Sequence, residues 1–425
     1  MTESVKIIYR DIDVPGIETL EVYESRGGYD ALKKVLSSMK PEEVVEAVKG
    51  SRLVGRGGAG FSTGLKWQFV RSETNEPKYV VCNAEEGEPG TFKDRPILER
   101  LPHRLVEAMI ICSYAVGAHE GYVVFRGEFV EPARIVNKAI AEAREKGYLG
   151  ENILGSGHSY DMRVFRTAGA YICGEESALL EAMEGKAGLC RIRPPFPVNA
   201  GLWAQPTALN NVETFANVPD IILKGAEWYA SLGTENTTGT KGFCVSGQVK
   251  KPGVYELPLG ITMRELIYEH AGGILDDKEF KAVFPGGASS SALLPEHLDI
   301  PLDFTTVWEA GSALGSAAFI VIAEGVCMVS AALRLARFFE HESCGKCLPC
   351  REGTYHMVRT LEAIHAGEAT EEDVDNLADI CRTIEKSAFC GLGQAAICPV
   401  LSTIEHFREE YMEHLEKKGS CKARG

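Results

Sequence analysis

The first 235 residues of the chain alternate between helical and extended patterns, which limits the folds that they can adopt. Residues 103–118 and 133–147 carry apolar side chains at helical spacing, whereas 121–129 and 160–168 are short runs typical of strands. Strands that alternate with helices form parallel sheets covered by helices. The sequence therefore predicts an α/β domain in this part of the chain.

Two further zones follow the α/β region. The polar residues 231–242 lack periodicity and predict a linker. Residues 242–258 contain two short β runs around a Lys-Pro-Gly turn, and 262–273 have the pattern of a capped helix, so we predict a small α+β module. From about Val326 the apolar spacing is helical almost to the end, which predicts an all-α C-terminal domain.

Composition excludes several classes of protein. A chain of 425 residues is too long for one hydrophobic core. Its 45 basic and 60 acidic residues give a net charge of −15, which argues against a nucleic-acid partner. The charged N-terminus lacks the apolar run of a secretory signal, so we predict a cytoplasmic protein. Residues 311–323 are too few for a spanning helix of ~18–20 residues and predict a buried strand before a core helix, without membrane insertion.

Three cysteines in the segment ESCGKCLPC, namely Cys344, Cys347 and Cys350, are each separated by two residues. In a chain without an export signal, an odd total of 13 cysteines does not indicate a disulfide framework. Thiolates at this spacing wrap one compact iron–sulfur cluster and leave one corner for a remote ligand. Structural zinc usually takes two separate Cys-x2-Cys knuckles, and this sequence has no second one. We therefore predict a cluster rather than zinc.

Three later cysteines compete to be the fourth ligand. Cys381 lies within a helical pattern and suits core packing. Cys390 lies in AFCGLGQ, where glycines allow backbone N–H groups to face sulfur. Cys398 precedes a proline, as the last ligand of ferredoxin motifs does. Spacing favours Cys390 only modestly over Cys398.

The segment GRGGAGF contains a G-x-G-x-x-G pattern at Gly55, Gly57 and Gly60. It follows a helical segment and not the strand that a dinucleotide-binding fingerprint requires, so a simple turn explains it equally well. The functional alternative is a backbone nest for a phosphate or a flat ring, with Lys66 supplying a positive charge from the next helix.

Other loops strengthen the ligand hypothesis because they leave strands and enter helices, where α/β sheets bind ligands. Their candidate side chains are Asn83, Glu85, Glu86, Glu88, Glu175, Glu176, Asn210 and Asn211. Carboxylates in first turns are also ordinary helix-dipole partners, and either asparagine can be an ordinary helix cap. The segment RPPFP is most simply a rigid connector, although it would hold Phe196 for stacking.

Together, the segments GRGGAGF, CNAEEGEPG, GAYICGEE, RPPFP and SCGKCLPC closely resemble the NADH-binding flavoprotein subunit of respiratory complex I, NADH:quinone oxidoreductase. The resemblance covers nearly the whole chain in the right order. It implies a Rossmann-like flavin domain over residues 1–235, a β-grasp-like module of the soluble-ligand-binding type over 236–325, and a helical bundle with a [4Fe-4S] cluster over 326–425.

The resemblance also implies site residues. It selects Cys390 as the fourth ligand of the cluster. The FMN contacts that it implies are Gly55, Gly57, Gly58, Asn83, Glu85, Tyr171, Gly174, Glu175, Asn210, Asn211 and Thr214. The NADH contacts that it implies are Phe61, Phe69 and Phe196 around adenine, with Lys66, Glu88 and Glu176 as polar contacts and Glu88 near the nicotinamide.

Redox chemistry explains why both sites share one chain. NADH delivers two electrons as hydride and a cluster accepts one, so we expect hydride transfer to FMN followed by single-electron transfer, with no side chain acting as acid or base. By resemblance, the electrons continue toward quinone through a thioredoxin-like [2Fe-2S] subunit and a large iron–sulfur subunit. If Glu176 meets the adenosine ribose, its charge would disfavour the 2′-phosphate of NADPH.

The chain departs from the common family pattern at three positions. Ser62, Glu85 and Arg193 stand where proline, aspartate and lysine are frequent, which bears on affinity. Flavoprotein subunits of NAD-linked hydrogenases and formate dehydrogenases resemble the pattern too, although many carry extra domains that do not fit into 425 residues. Outside the redox class, the alternative is a zinc-stapled assembly module whose glycine loops are structural.

Overall fold

The computed structural model describes residues 5–418, which divide into two compact units. Unit 1 contains the chain up to Gly87 together with Phe92–Phe243 and Val254–Gly260. Unit 2 contains Glu88–Thr91, Cys244–Gly253 and the chain from Ile261 onward.

Unit 1 is built on a parallel sheet with the strand order β3-β2-β1-β4. Its strands are β1 (Tyr79–Ala84), β2 (Glu120–Phe125), β3 (Asp161–Arg166) and β4 (Thr207–Asn211). Its helices are α1 (Leu20–Ser25), α2 (Asp30–Ser38), α3 (Pro41–Gly50), α4 (Thr63–Ser72), α5 (Asp94–Arg100), α6 (Pro102–Val116), α7 (Val130–Glu145), α8 (Glu176–Met183), α9 (Pro197–Ala200), α10 (Val212–Ala216), α11 (Val218–Lys224) and α12 (Ala226–Ala230). The predicted α/β architecture is confirmed.

Helices cover both faces of this sheet because side chains alternate along each strand. On β1, Val80 and Cys82 belong to the large core that includes α6 and α7. Tyr79 and Val81 point the other way and pack with apolar residues of α8. The near-continuous apolar run of β1 therefore follows from burial on both sides.

The strand order places a topological switch point beside β1. The chain passes from β1 to β2 and then β3 on one side, whereas β4 pairs with the opposite edge of β1. Asn83 of β1 lies in register with Asn211 of β4. Open parallel sheets bind ligands in the crevice at the carboxyl ends of strands at such a point. The fold thus provides one natural ligand position in unit 1, the β1/β4 crevice.

A second sheet has the strand order β6-β5-β8-β7, in which β8 pairs in parallel with β5 and antiparallel with β7. These strands are β5 (Thr240–Gly247), β6 (Gly253–Pro258), β7 (Phe280–Phe284) and β8 (Ala318–Ala323). The prediction of a buried strand within 311–323 is confirmed. The predicted linker at 231–242 is wrong in its second half: Thr238 and Lys241 are buried, and β5 already begins at Thr240. Threonines there form strand and core contacts, which composition does not reveal.

The predicted helix at 262–273 is shorter than expected. A single π-helical segment spans Glu265–His270, and Thr262 and Glu265 cap it reciprocally, with Glu265 N donating to Thr262 Oγ1 at 3.1 Å. The remaining helices of unit 2 are α13 (Phe304–Glu309), α14 (Met328–Glu342), α15 (Leu348–Ala366), α16 (Glu371–Ser387), α17 (Gly391–Ala395), α18 (Cys398–His406) and α19 (Arg408–Glu416). A shared apolar core joins α14, α15, α16 and α18. The predicted all-α C-terminal part is confirmed.

Over residues 5–418, no helix combines the length and the apolar character needed to cross a membrane.

Gly121 of β2 and Tyr160 test the packing of the parallel sheet. A Cβ at position 121 would lie 1.9 Å from Tyr160 Oη, so Gly121→Ala should destabilise by roughly 1–3 kcal/mol through overpacking. Within the described chain, the buried Tyr160 hydroxyl has no hydrogen-bond partner, so Tyr160→Phe should leave stability unchanged or raise it. In the Tyr160→Phe background, Gly121→Ala should cost less. Denaturant midpoints of the four forms measure this, and strictly additive effects would contradict the contact.

Candidate functional site

The glycine loop of unit 1 connects α3 to α4. Gly55 N donates to Phe61 O at 2.8 Å, which closes the loop at its base. Gly58 and Gly60 have φ values of +129° and +64°, a region that favours glycine. The loop therefore exposes backbone with little side-chain cover, as a nest for a flat or phosphorylated ligand requires.

The loop contacts α10, which follows β4. A Cβ at Gly57 would lie 3.0 Å from the Asn211 Cβ, so only glycine allows this approach without displacement. Arg56 N donates to Thr214 Oγ1 at 2.8 Å. The structure thus brings together three groups of predicted FMN contacts, namely the glycine loop, Asn211 and Thr214.

The carboxyl end of β1 holds a second group of predicted contacts. Asn83 Nδ2 donates to Gly174 O at 2.9 Å, and Asn83 Oδ1 accepts from Glu85 N at 3.0 Å. Glu85 is buried, and its Oε2 accepts from Thr167 Oγ1 at 3.4 Å. Tyr171 and Gly174 belong to one 3-10 turn, Tyr171–Gly174, that leads into α8. These residues surround the end of the strand at the β1/β4 crevice.

The two asparagines at the end of β4 differ in their contacts. Asn210 Oδ1 accepts from Trp67 Nε1 at 3.0 Å, which fixes its amide against α4. Asn211 caps α10 by accepting from Glu213 N at 3.0 Å. The prediction that one of these asparagines caps a helix is confirmed for Asn211.

The N-terminus of α8 carries adjacent carboxylates with different partners. Glu175 caps the helix, because its Oε2 accepts from the backbone N–H groups two and three residues further on, each at 2.9 Å. Glu176 lies between two cations, with its Oε1 3.2 Å from Arg193 Nη1 and its Oε2 3.5 Å from Lys66 Nζ. The predicted NADH contacts Lys66 and Glu176 are therefore neighbours, and Arg193 joins them.

Three predicted stacking residues of unit 1 are exposed. The exposed fractions of Phe61, Phe69 and Phe196 are 48%, 43% and 50%. Large exposed aromatic rings favour a ligand or partner that covers them.

Glu88 belongs to unit 2 and has a partner that sequence reasoning did not foresee. Its Oε1 accepts from Ser289 N at 2.9 Å and its Oε2 accepts from Ser289 Oγ at 2.8 Å. The carboxylate therefore holds the 3-10 turn Gly287–Ser289.

The predicted cluster ligands occupy two loops of unit 2. Cys344 and Cys347 lie between α14 and α15, and Cys350 lies in the first turn of α15. Cys390 is the residue before α17. A cation–π contact joins the two loops, since Lys346 Nζ lies 4.4 Å from the centre of the Phe389 ring, worth about 0.5–1 kcal/mol at an exposed site.

The electrostatics of Cys350 identify its neighbours. Burial raises its pKa to about 11, and the charges of Cys347, Cys390 and Cys344 add to this effect. Ser343 Oγ lies 3.3 Å from Cys350 Sγ and works in the opposite direction. The four predicted thiols thus lie close enough to influence one another.

The two rival cysteines have other surroundings. Cys381 Sγ contacts Met357 Sδ at 3.8 Å in the helical core. Burial raises the pKa of Cys398 to about 11, followed by the charge of Glu385, while a hydrogen bond with Ser291 lowers it. Neither appears among the groups that shift Cys350. The surroundings of the thiols favour Cys390 as the fourth ligand.

The residues present fit the two expected groups. Four thiols suit an iron–sulfur cluster, whose soft metal prefers thiolate. Across residues 5–418, no three His, Cys, Asp or Glu side chains converge on a position for a single metal ion. A cubane binds each thiolate at a different iron, so such convergence is not required. The side-chain-poor glycine loop and the amides at the strand ends likewise suit a phosphorylated flat ring.

Sequence reasoning missed several polar residues behind the crevice. Arg56, Lys93, Asp94 and Lys241 are fully or almost fully buried and carry full charges. The Lys-Asp-Arg run after the EPG segment was a signal for Lys93 and Asp94, but burial of such a run is not visible in sequence.

Three family models match the chain. Residues 48–220 match the Nuo51 FMN-binding domain, 241–304 match the SLBB domain, and 330–414 match the NADH-ubiquinone oxidoreductase-F iron-sulfur binding region. The predicted cofactors, FMN and a [4Fe-4S] cluster with NADH as substrate, are confirmed by these matches.

Curated relatives, all of them F subunits of NADH-quinone oxidoreductase, match over nearly the full length. The protein of Rhizobium meliloti, the second F-type one of that organism, is 50% identical over 97% of this chain and 98% of its own. The protein of Mycobacterium bovis is 48% identical over 98% of this chain and 95% of its own. The protein of Aquifex aeolicus is 49% identical over 96% and 93%, respectively.

A solved NAD+-reducing [NiFe]-hydrogenase in the H2-reduced state is similar too, with a TM-score of 0.82 and 36% identity. The match covers 96% of this chain but only 66% of the hydrogenase chain. The hydrogenase alternative is thus supported in part, as a shared fold. Identity near one half over almost every residue places the chain with the respiratory proteins: it belongs to the family of NADH-quinone oxidoreductase F subunits.

Proposed function

We propose a division of roles among the residues of this NADH-oxidising protein. FMN is bound in the β1/β4 crevice by the glycine loop and by the contacts that the sequence analysis assigned to it, from Asn83 to Thr214. The cluster is held by Cys344, Cys347, Cys350 and Cys390. The observation that carries the FMN part is the convergence of the glycine loop, Asn83 and Asn211 at the switch point of the sheet.

The protein's contribution is positioning. FMN, when bound, supplies the two-electron chemistry that nicotinamide needs and the single-electron chemistry that a cluster needs. The buried carboxylate of Glu85 and the amides of Asn83 and Asn210 orient the ring, and the glycine loop lets backbone N–H groups approach it. No side chain of the crevice has to gain or lose a proton for this role.

NADH lies against the exposed rings of Phe61, Phe69 and Phe196 in this proposal. Glu176 and Lys66 bind its polar groups, and Glu88 belongs to the nicotinamide end. The pairing of Glu176 with Arg193 adds a feature specific to this chain, because a guanidinium can bind a phosphate in a planar fork. Glu176 keeps that fork occupied and so disfavours a 2′-phosphate.

The protein passes electrons to other subunits of a quinone-linked complex. We infer a thioredoxin-like [2Fe-2S] subunit and a large iron–sulfur subunit as the partners, with the chain at the cytoplasmic face of the membrane. The support is the family, whose members are named as subunits of NADH-quinone oxidoreductase.

Spectroscopy of the reconstituted chain tests the division of roles. After anaerobic addition of NADH, the flavin absorbance should fall and a reduced-cluster EPR signal should appear. Cys390→Ala should retain the flavin response and lose most of the cluster signal, because one corner of the cluster has no thiolate. Cys398→Ala is the matched control and should retain both responses.

Two results would contradict the proposal. If NADH leaves the flavin absorbance unchanged in the loaded wild-type chain, the FMN and NADH assignments fail. If Cys398→Ala loses the cluster and Cys390→Ala keeps it, the ligand assignment is wrong.

Coenzyme preference tests the role of Glu176. Glu176→Gln should raise kcat/KM for NADPH about tenfold, because Arg193 and Lys66 become available to the 2′-phosphate while a repulsive charge is lost. Arg193→Ala in the same background should remove most of that gain. Steady-state kinetics with both coenzymes measure the ratio. An unchanged preference in Glu176→Gln would contradict contact with the adenosine ribose.

A further inference from the structure

Five buried charged side chains lie behind the β1/β4 crevice of unit 1, and none of them is a predicted site residue. This buried charge cluster consists of Arg56, Lys93, Asp94, Glu213 and Lys241. Their exposed fractions are 0%, 1%, 2%, 0% and 0%. Burying ionised groups is costly unless they are paired and hydrogen-bonded. Such a concentration beside a ligand crevice points to a role there.

The charges are paired through Glu213. Its Oε2 lies 3.0 Å from Lys93 Nζ and 2.6 Å from Lys241 Nζ. Lys93 Nζ also donates to Asp94 Oδ1 at 2.8 Å. Burial alone would lower the pKa of Lys93, but the charges of Asp94 and Glu213 raise it above the usual value. Lys93 therefore remains a cation between two carboxylates.

Lys93 and Asp94 also hold both ends of the Asn211 amide. Lys93 Nζ donates to Asn211 Oδ1 at 3.2 Å, and Asn211 Nδ2 donates to Asp94 Oδ2 at 2.6 Å. A rotated amide would set its NH2 group against the Lys93 ammonium and its oxygen against the Asp94 carboxylate. The pair of charges thus allows only one orientation of this side chain.

The orientation of Asn211 matters because the glycine loop rests on it. The close approach of Gly57 to the Asn211 Cβ leaves no room for a displaced side chain. Arg56 anchors the same loop from below, since its Nη2 donates to Thr238 O at 2.6 Å and to Tyr229 Oη at 3.1 Å. The buried charge cluster therefore contacts the crevice at its rear wall.

We propose that Lys93 and Asp94 are positioning residues for the flavin, which hold Asn211 in one orientation behind Gly57 and so set the affinity of the crevice for FMN. The inference rests on the proposed FMN site. Neither residue has to touch the cofactor, and their effect passes through Asn211.

A double-mutant cycle between positions 94 and 211 tests this dependence. The variants are Asp94→Asn, Asn211→Ala and the double variant in the full chain, and the readout is the FMN dissociation constant from flavin fluorescence. Loss of an orienting partner costs metal sites about 10- to 100-fold in affinity, and we expect about tenfold weaker FMN binding for Asp94→Asn. The double variant should bind FMN no more weakly than Asn211→Ala alone. The KM for NADH at saturating FMN should not change.

Asp220→Asn is the matched control. Asp220 is also fully buried and pairs with Arg104 and Arg10, but neither arginine contacts the glycine loop. This control should lower the unfolding midpoint without weakening FMN binding. If Asp94→Asn yields no folded protein, Lys93→Arg, which keeps the charge and moves the donors, replaces it under the same criteria.

Several outcomes would overturn the proposal. Unchanged FMN affinity in the Asp94 variant would do so, as would effects that multiply in the double variant, because Asp94 would then act independently of Asn211. Equal weakening by Asp220→Asn would reduce the effect to general stability. The failure of the proposed FMN site itself is distinguishable, since the wild-type chain would then not bind FMN at all.

Discussion

The parallel pairing of β1 with β2 on one edge and with β4 on the other is the constraint on which unit 1 depends. It buries β1 on both faces, so the strand itself carries apolar residues and all polar chemistry is displaced to its carboxyl end. The same pairing reverses the strand order beside β1 and opens a crevice there. Asn83 and Asn211 lie in register across that opening, and the glycine loop lies against the second of them.

Burial of charge behind the crevice is the less expected part of the design. Buried ion pairs seldom stabilise a fold more than well-packed apolar residues would. Here Glu213 and its two lysines connect the start of α10 to the start of β5, and Lys93 connects them to Asn211. The amide of Asn211 is oriented by two full charges, which a neutral core would not provide. Specific orientation rather than stability explains why these charges are buried.

The sequence predicted the fold well where local patterns and tertiary burial agree. The helices 102–116 and 130–145 and the strands 120–125 and 161–166 lie where the apolar spacing placed them. The segment 231–242 failed because Thr238 and Thr240 are buried through hydrogen bonds, as with Thr238 Oγ1 to Ser51 O at 2.8 Å, and not through hydrophobicity. Periodicity reports apolar burial and does not detect this kind.

The candidate site was predictable to the extent that motifs name ligands. Cys344, Cys347 and Cys350 were evident from spacing, whereas Cys390 and Cys398 could be separated only by resemblance and then by the surroundings of each thiol. The partners of Glu88 and Glu176 were not predictable, because Ser289 and Arg193 are distant in sequence and neither has a local signature. Contacts of this kind depend on the tertiary fold.

An experimental density map of the FMN-loaded chain tests the central claim most directly. The account predicts isoalloxazine density in the β1/β4 crevice, in contact with Gly57 and bounded by Asn83 and Asn211. Flavin density elsewhere in the chain, with the crevice filled by side chains, would contradict it.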